Sequence, residues 1–525
     1  ADRVTLTLLH TSDTHGHIAS DIDAADTTGS GHRVSGFPLL KAQVQKIKLD
    51  ALRQGNRALL LDAGDYFQGT AIVEETQGQV MIDLMNRMNY LAAGIGNHDL
   101  DYGLARLKDV LRSARHPILC CNVFETATGR LMASARSHIR VPYKGHQIAI
   151  IGALDPRTPD ISMAENVAGL EFRDPVPILN ELISRLRTQG VDVFVLLSHL
   201  GIEQDRQIAE TVEGIDLILG GHSHTEMREL EYAGKNRVPI AHPGYDTRYV
   251  SRVDLHLLKG ERPAVTFTPH FLSTAHLEED AGMQTVIGEK LSSIAAKVKR
   301  HLGTCRATLV RGVIGGDSPE GNFVADAIRE GTGAEIGLTN VGGVRFPIAS
   351  GPVIWDQIFQ LQPFNNLVEV VPMTGAQIVK ILEEGLSVPF QQADAADKEY
   401  ARKHFRLDIS GLRRDFMAAF GYLVPSNLLV TFDPERPPMQ RIVKLTLADD
   451  SPLDLKRVYK VAFNSYLSQG GDGYKYLKNW PGKINSRKLV RDLIVEKIER
   501  DQVIGPPAEQ RMINLKLSCV PITGE

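Results

Sequence analysis

Cysteine is scarce in this chain, with four among 525 residues. Cys120 and Cys121 are adjacent at the end of an apolar run, while Cys305 and Cys519 stand alone. None has zinc-knuckle spacing, so the thiols read as small buried hydrophobes, with a Cys305–Cys519 bridge left open. Long apolar runs are lacking too. No stretch approaches the roughly 20 residues a helix needs to cross a bilayer, so a membrane span is excluded. Charge of one sign is also missing. The 59 basic and 63 acidic residues leave a formal net charge of −4, with no basic stripe to recognise nucleic acid or an anionic membrane. Neither internal repeats nor low-complexity tracts occur. What remains is an ordinary composition, 43% apolar and 23% charged, over a length too great for one core. The chain begins Ala1-Asp2 and runs directly into strand-like sequence, as expected of a mature chain freed of a signal peptide and placed in the periplasm or outside the cell.

From residue 4 to about 255, β-rich runs alternate with helical stretches such as 80–89 and 176–189. Near-continuous apolar strands separated by helices predict an α/β fold with sheets buried between helices. In such folds ligands collect at the carboxyl ends of the strands. Residues 278–301 read as one polar helix with a narrow apolar stripe through Met283, Ile287, Ile294 and Val298, a connector between domains. After Cys305 the alternation resumes with other polar signatures: SPEGNFVADAIRE, TNVGGVR, LQPFNN and SQGGDGY. The polar, non-periodic stretch 388–414 reads as a surface insertion. The domains expected are 1–275, a linker helix over 276–303, and 304–525.

Five polar clusters each follow a strand-like run: Asp13 with His15, Asp65, Asn97-His98 with Asp101, His199, and His222 with His224. Two metals about 3.5–4 Å apart need roughly this many side-chain ligands plus a bridging water. Mixed His, Asp and Asn donors suit Zn, Mn, Co or Fe better than Ca or Mg. Asp13 and His15 are one residue apart on what reads as an extended segment, which would turn both side chains the same way; His222 and His224 repeat the spacing. His98 and Asp101 are close enough for the carboxylate to orient the imidazole, although Asp101 could instead cap the following helix. His10, His17 and His242 read as structural.

With these residues in place, the sequence resembles the calcineurin-like metallophosphoesterases, and more narrowly the 5′-nucleotidase/UDP-sugar hydrolase family. The likeness runs from TSDTHGH to SQGGDGY. It implies a four-layer α/β/β/α sandwich followed by a linker helix and an α/β nucleotide-binding domain. It further implies that Asp13, His15, Asp65 and His224 hold one divalent ion. Asp65, Asn97, His199 and His222 would hold a second, with Asp65 bridging and His98 and Asp101 as the catalytic dyad. In the second domain, Phe364 and Tyr466 match the aromatic pair that sandwiches the base. Asp472 matches the acceptor for the ribose hydroxyls and Asn366 a nucleoside contact, while Asn340 and Arg345 match residues that reach phosphate. Ile314 stands where relatives often carry an additional Arg, with Arg311 nearby but offset.

The activity implied is release of phosphate from nucleoside 5′-monophosphates by attack of a metal-bridging hydroxide, with the nucleotide as small-molecule partner and the oligomeric state open. Because of Ile314, a UDP-sugar or dinucleotide pyrophosphatase and a 2′,3′-cyclic nucleotide phosphodiesterase on the same scaffold stay in view. A catalytically dead nucleotide-binding protein is the alternative of another class, and the intact clusters weigh against it.

Overall fold

In the computed structural model, the described residues are 3–22, 31–310, 315–387, 390–392, 407–408, 412–414 and 421–519. They fall into two compact units, Ala1–Ala295 and Ala296–Glu525.

The first unit is built on two six-stranded sheets. In one, Val4–Thr11, Arg57–Asp62, Ala92–Gly94 and Ile118–Leu119 run parallel, and Tyr249–Leu257 closes antiparallel against the first. In the other, His146–Leu154, Val193–His199, Leu217–Gly220 and Val238–Ala241 run parallel. The facing sides of both sheets share one core, including Leu8, Leu61, Ile150, Val195 and Leu219. The outer side of the second sheet packs Phe194 and Ile218 against Leu182, Leu186 and Ile208 from the helices Pro175–Thr188 and Ile202–Thr211. Sheets with apolar residues on both faces must be covered on both, and this gives the expected four-layer α/β/β/α sandwich.

The second unit centres on a five-stranded sheet in the order Leu423–Ser426, Ile336–Asn340, Val458–Asn464, Leu367–Thr374 and Ile484–Leu489. One core includes Phe463, Val461 and Ile381, and another includes Ala462, Phe323, Ile494 and Val368. Adjacent residues of the Val458–Asn464 strand thus face opposite cores, as the two-residue period of a strand requires.

The single helix expected over 278–301 is two, Ala281–Ser292 and Ala295–Val298, and a strand starts at His301. The Ser292 and Ser293 hydroxyls donate back to the carbonyls of Gly288 and Lys290 at 2.7 and 2.6 Å, a local competition that ends the first helix. The expected apolar stripe is partly real, with Met283, Ile287 and Ile294 buried. That helix is fastened to the first unit by Lys41–Asp280 at 3.0 Å and Lys290–Asp83 at 2.9 Å. Cys120, Cys121 and Cys305 are free buried thiols. Ile314, Arg311 and most of 388–414 lie outside the described residues, as does the Cys519 side chain.

Candidate metal centre and nucleoside-side residues

All the parallel strands of the first unit end toward one rim, and the candidate ligands follow those ends. Asp13 comes two residues after Thr11, Asp65 three after Asp62, Asn97 three after Gly94, and His222 two after Gly220. His199 is the last residue of its strand. The structure gathers them into two groups, Asp13 with His15 and His224, and Asp65 with His199 and His222; within each, the ligand atoms lie within 4.8 Å of one another.

The extended segment expected at Asp13 and His15 is not what forms. Asp13, His15, Asp65, His222 and His224 all have left-handed backbone, with φ from 45° to 75°. Such conformations are costly for residues with a Cβ and persist only where surrounding bonds impose them. Here the Asp13 N–H donates to the Gly64 carbonyl at 2.9 Å and the His15 N–H to the Asp65 carbonyl at 3.0 Å. The His222 N–H donates to both oxygens of Asp13 at 3.0 and 3.1 Å. The side chains converge because the loops coil against each other.

Asp65 links the two groups. Its Oδ1 accepts the backbone N–H of His98 at 2.8 Å, leaving Oδ2 3.1 Å from His199 Nε2 and 3.9 Å from His15 Nε2. His15 and His224 bring their Nε2 atoms to 3.0 Å. His199 donates through Nδ1 to the Ala63 carbonyl at 2.9 Å, which turns Nε2 toward Asp65. No side chain would be tolerated at Gly96, because a Cβ there would sit 2.0 Å from Asp65 Oδ1. Tyr245 stacks on His224, with ring centroids 4.9 Å apart and 16° between planes.

Burial opposes charge throughout this cluster. At Asp65 the surrounding imidazoles, His199 foremost, outweigh burial and hold the carboxyl well below its usual range. Burial likewise opposes protonation of His199, yet the neighbouring carboxylates push its imidazole up to about 10. At Asp13 burial wins and raises the carboxyl to about 7. Carboxylates this deep require cationic partners, and imidazoles alone are modest ones. Asn97 adds a buried Oδ1 with no hydrogen-bond partner among the described residues, an acceptor left for another donor or for a cation. The donor set, two carboxylates, an amide and four imidazoles, fits divalent transition ions.

His98 and Asp101 pair as expected, Nδ1 to Oδ2 at 2.8 Å. The N-cap position of the next helix, Gly103–Leu111, is taken by Tyr102 rather than Asp101. The residues expected to be structural are so in part: His242 Nε2 bonds the fully buried Asp205 at 2.8 Å, His17 lies 3.3 Å from Asp246, and His10 is wholly buried.

Two buried carboxylates escaped the sequence reading. Asp99 accepts the N–H groups of Asp65, Tyr66, Phe67 and Gly96 at 2.8 to 3.0 Å and so shapes the Asp65 turn. Asp155 follows the strand His146–Leu154, and its Oδ2 is 3.4 Å from His222 Nε2. Asp155 sits at a strand end like the others, which was the available signal. Asp99 lay in plain view inside GNHDLD.

In the second unit, three of the expected residues are bonded to one another. Asp472, in the left-handed region at φ 54°, accepts the Tyr466 hydroxyl on Oδ1 at 2.7 Å and the Asn340 amide on Oδ2 at 2.8 Å. Asn340 also accepts from Asn464 at 2.9 Å, so its amide is committed at both ends. The Tyr466 ring lies against Gly471, where a Cβ would meet ring carbons at 2.4 Å. Phe364 and Asn366 sit between the helix Trp355–Leu361 and the strand Leu367–Thr374, with Asn366 buried. The Arg345 guanidinium is 6.0 Å from the Phe364 ring centroid. Arg491, not singled out from sequence, holds this loop through the Gln362 carbonyl at 3.3 Å and the Asn365 side chain at 2.8 Å.

Comparison with known proteins decides the family. Residues 6–226 match the calcineurin-like phosphoesterase family and residues 295–479 the 5′-nucleotidase C-terminal domain. The chain belongs to the 5′-nucleotidase family. It is 26% identical to rat 5′-nucleotidase over 97% of this chain and 90% of that one. A snake venom 5′-nucleotidase from Naja atra is 25% identical over 97% of this chain and 98% of its own length. The structure of a 5′-nucleotidase precursor from Thermus thermophilus superposes with a TM-score of 0.84 at 26% identity, covering 97% and 99% of the two chains. The protein is a metal-dependent phosphoric ester hydrolase. Among the described residues, no helix is long and apolar enough to cross a membrane.

Proposed function

We propose that the protein releases phosphate from nucleoside 5′-monophosphates at a two-metal centre. The observation that carries this reading is Asp65 Oδ2, set between His15 and His199 and so between both ligand groups. Asp13, His15 and His224 would hold one divalent ion, and Asn97, His199 and His222 the other, with Asp65 serving both. Bound there, the ions would supply Lewis acidity toward the phosphoryl oxygens and lower the pKa of an attacking water.

The chain's own residues do the rest. Asp101 takes the Nδ1–H of His98, which leaves Nε2 to carry a proton toward the phosphoryl group or the departing ribose oxygen. In the second unit, Phe364 and Tyr466 would stack the base, Asp472 accept the ribose hydroxyls and Arg345 meet phosphate. Binding the nucleoside away from the reacting bond converts remote contacts into positioning. We further place the protein in the periplasm or outside the cell, a reading supported by venom proteins among its relatives.

The test is turnover of AMP, UDP-glucose and 2′,3′-cyclic AMP by metal-stripped enzyme reconstituted with Mn, Co or Zn, read as adenosine and phosphate from the first, UMP and glucose 1-phosphate from the second and ring-opened adenosine monophosphate from the third. AMP is expected to turn over fastest. Faster turnover of UDP-glucose or the cyclic nucleotide would overturn the monophosphate assignment. Tight nucleotide binding without turnover of any of the three would overturn hydrolysis itself.

A further inference from the structure

The loop that carries Phe364 and Asn366 is tied to the first turn of a helix, Val490–Asp501. The first N–H groups of a helix have no partner inside it, and Val490 gives its own to the Asn366 carbonyl at 2.9 Å. Arg491, the next residue, is buried, and its side chain turns its donors to the same loop. Nη1 donates to the carbonyls of Gln362 at 3.3 Å and Phe364 at 3.5 Å, and Nη2 to the Asn365 side-chain oxygen at 2.8 Å. The guanidinium also lies 4.4 Å from the ring centroid of Phe359, a buried residue of the helix Trp355–Leu361. Contacts from Val490 and Arg491 thus hold the chain before, at and after Phe364.

We infer that Arg491 is a positioning residue for the nucleoside, acting through Phe364; this rests on the proposed role of that ring in stacking the base. A stacking ring works best when its plane is held before the base arrives, since ordering a loop on binding subtracts from affinity. Residues 362–366 lie between the helix that ends at Leu361 and the strand that starts at Leu367. Their shape therefore depends on contacts such as these rather than on a helix or sheet ladder. A guanidinium suits the task, because its five N–H groups form a rigid planar fork that holds several oxygens at fixed angles. An ammonium has the charge without the plane. Phe359, set against the guanidinium, steadies the fork from the side of the preceding helix.

The experiment is a double-mutant cycle on the full chain, read as calorimetric affinity for adenosine and as kcat and KM for AMP with Mn²⁺ present. Phe364→Ala is expected to weaken adenosine binding about 5- to 100-fold, the range for loss of one base–aromatic stack. Arg491→Lys should weaken it about 2- to 10-fold and raise KM for AMP alike, with kcat nearly unchanged. Added to Phe364→Ala, the same change should weaken adenosine hardly further, because the ring it positions is gone. Wild-type adenosine affinity in Arg491→Lys overturns the inference, and so does a loss of equal size with and without Phe364. Should Arg491→Lys not fold, Asn365→Ala, which removes the Nη2 contact, takes its place in the cycle under the same two criteria. Unchanged adenosine affinity in Phe364→Ala overturns the base-stacking reading, and the inference with it.

Discussion

The rim of the first unit and the polar cluster of the second solve opposite problems. At the rim, side chains that repel or resist burial are forced together by backbone bonds, with five left-handed residues among the candidate ligands. In the second unit, Asp472, Tyr466, Asn340 and Asn464 satisfy one another through side-chain hydrogen bonds of 2.7 to 2.9 Å. The first arrangement is incomplete without something positive at its centre. The second is already content, so a ligand there must compete for, or share, acceptors in use. Under the proposed function, one region would hold ions and the other would exchange a nucleoside.

Mutations can break that contrast, beginning with Asp65→Asn. It removes the charge shared by both groups and should abolish bound metal as well as turnover. The loss should exceed the roughly 10⁴-fold upper range for deleting a proton-transfer group; metal content by mass spectrometry beside phosphate release checks it. His98→Ala should lower kcat by about 10²–10⁴-fold while both ions stay bound, since His98 is not among the ligand groups.

Asp472→Ala acts on the other side of the comparison. Losing a charged acceptor costs about 1.5–3 kcal/mol, so kcat/KM for AMP should drop roughly 10- to 100-fold. The drop for p-nitrophenyl phosphate, which has no nucleoside, should be far smaller. Equal losses on both substrates would show that Asp472 supports the fold rather than the sugar. Tyr466→Phe should be the mildest. It keeps the ring against Gly471 and deletes one hydrogen bond to Asp472, worth about 0.5–1.5 kcal/mol, which predicts a rise in KM for AMP of roughly 2- to 10-fold.

Much of the first region was legible because strand ends and residue types are local properties of a sequence. The runs before Asp13, Asp65, Asn97, His199 and His222 announce parallel strands, and parallel strands deliver their ends to one rim. The coiling of the loops was not legible, because the bonds that impose it join Asp13 to Gly64 and to His222, remote in sequence. Asp155 was missed for a related reason. A lone carboxylate after a strand means little until His222 and Arg157 are beside it. In the second unit, residue types suggested contacts with a ligand, whereas the structure shows several of them in contact with each other. Asn340, expected to reach phosphate, is held by Asp472 and Asn464.

Asp99 carries a consequence for motion. Four backbone amides, from Asp65, Tyr66, Phe67 and Gly96, point at one buried carboxylate. Loops that bear chemistry ordinarily open early and exchange their amide hydrogens fast. Here those amides can reach solvent only if the carboxylate loses its donors in the interior, so they should keep their hydrogens nearly as long as the central strands do. In a deuterium-exchange map, the turn that presents Asp65 would then mark as rigid scaffold, and the reactive end of the sheet would be among the last parts of the unit to loosen.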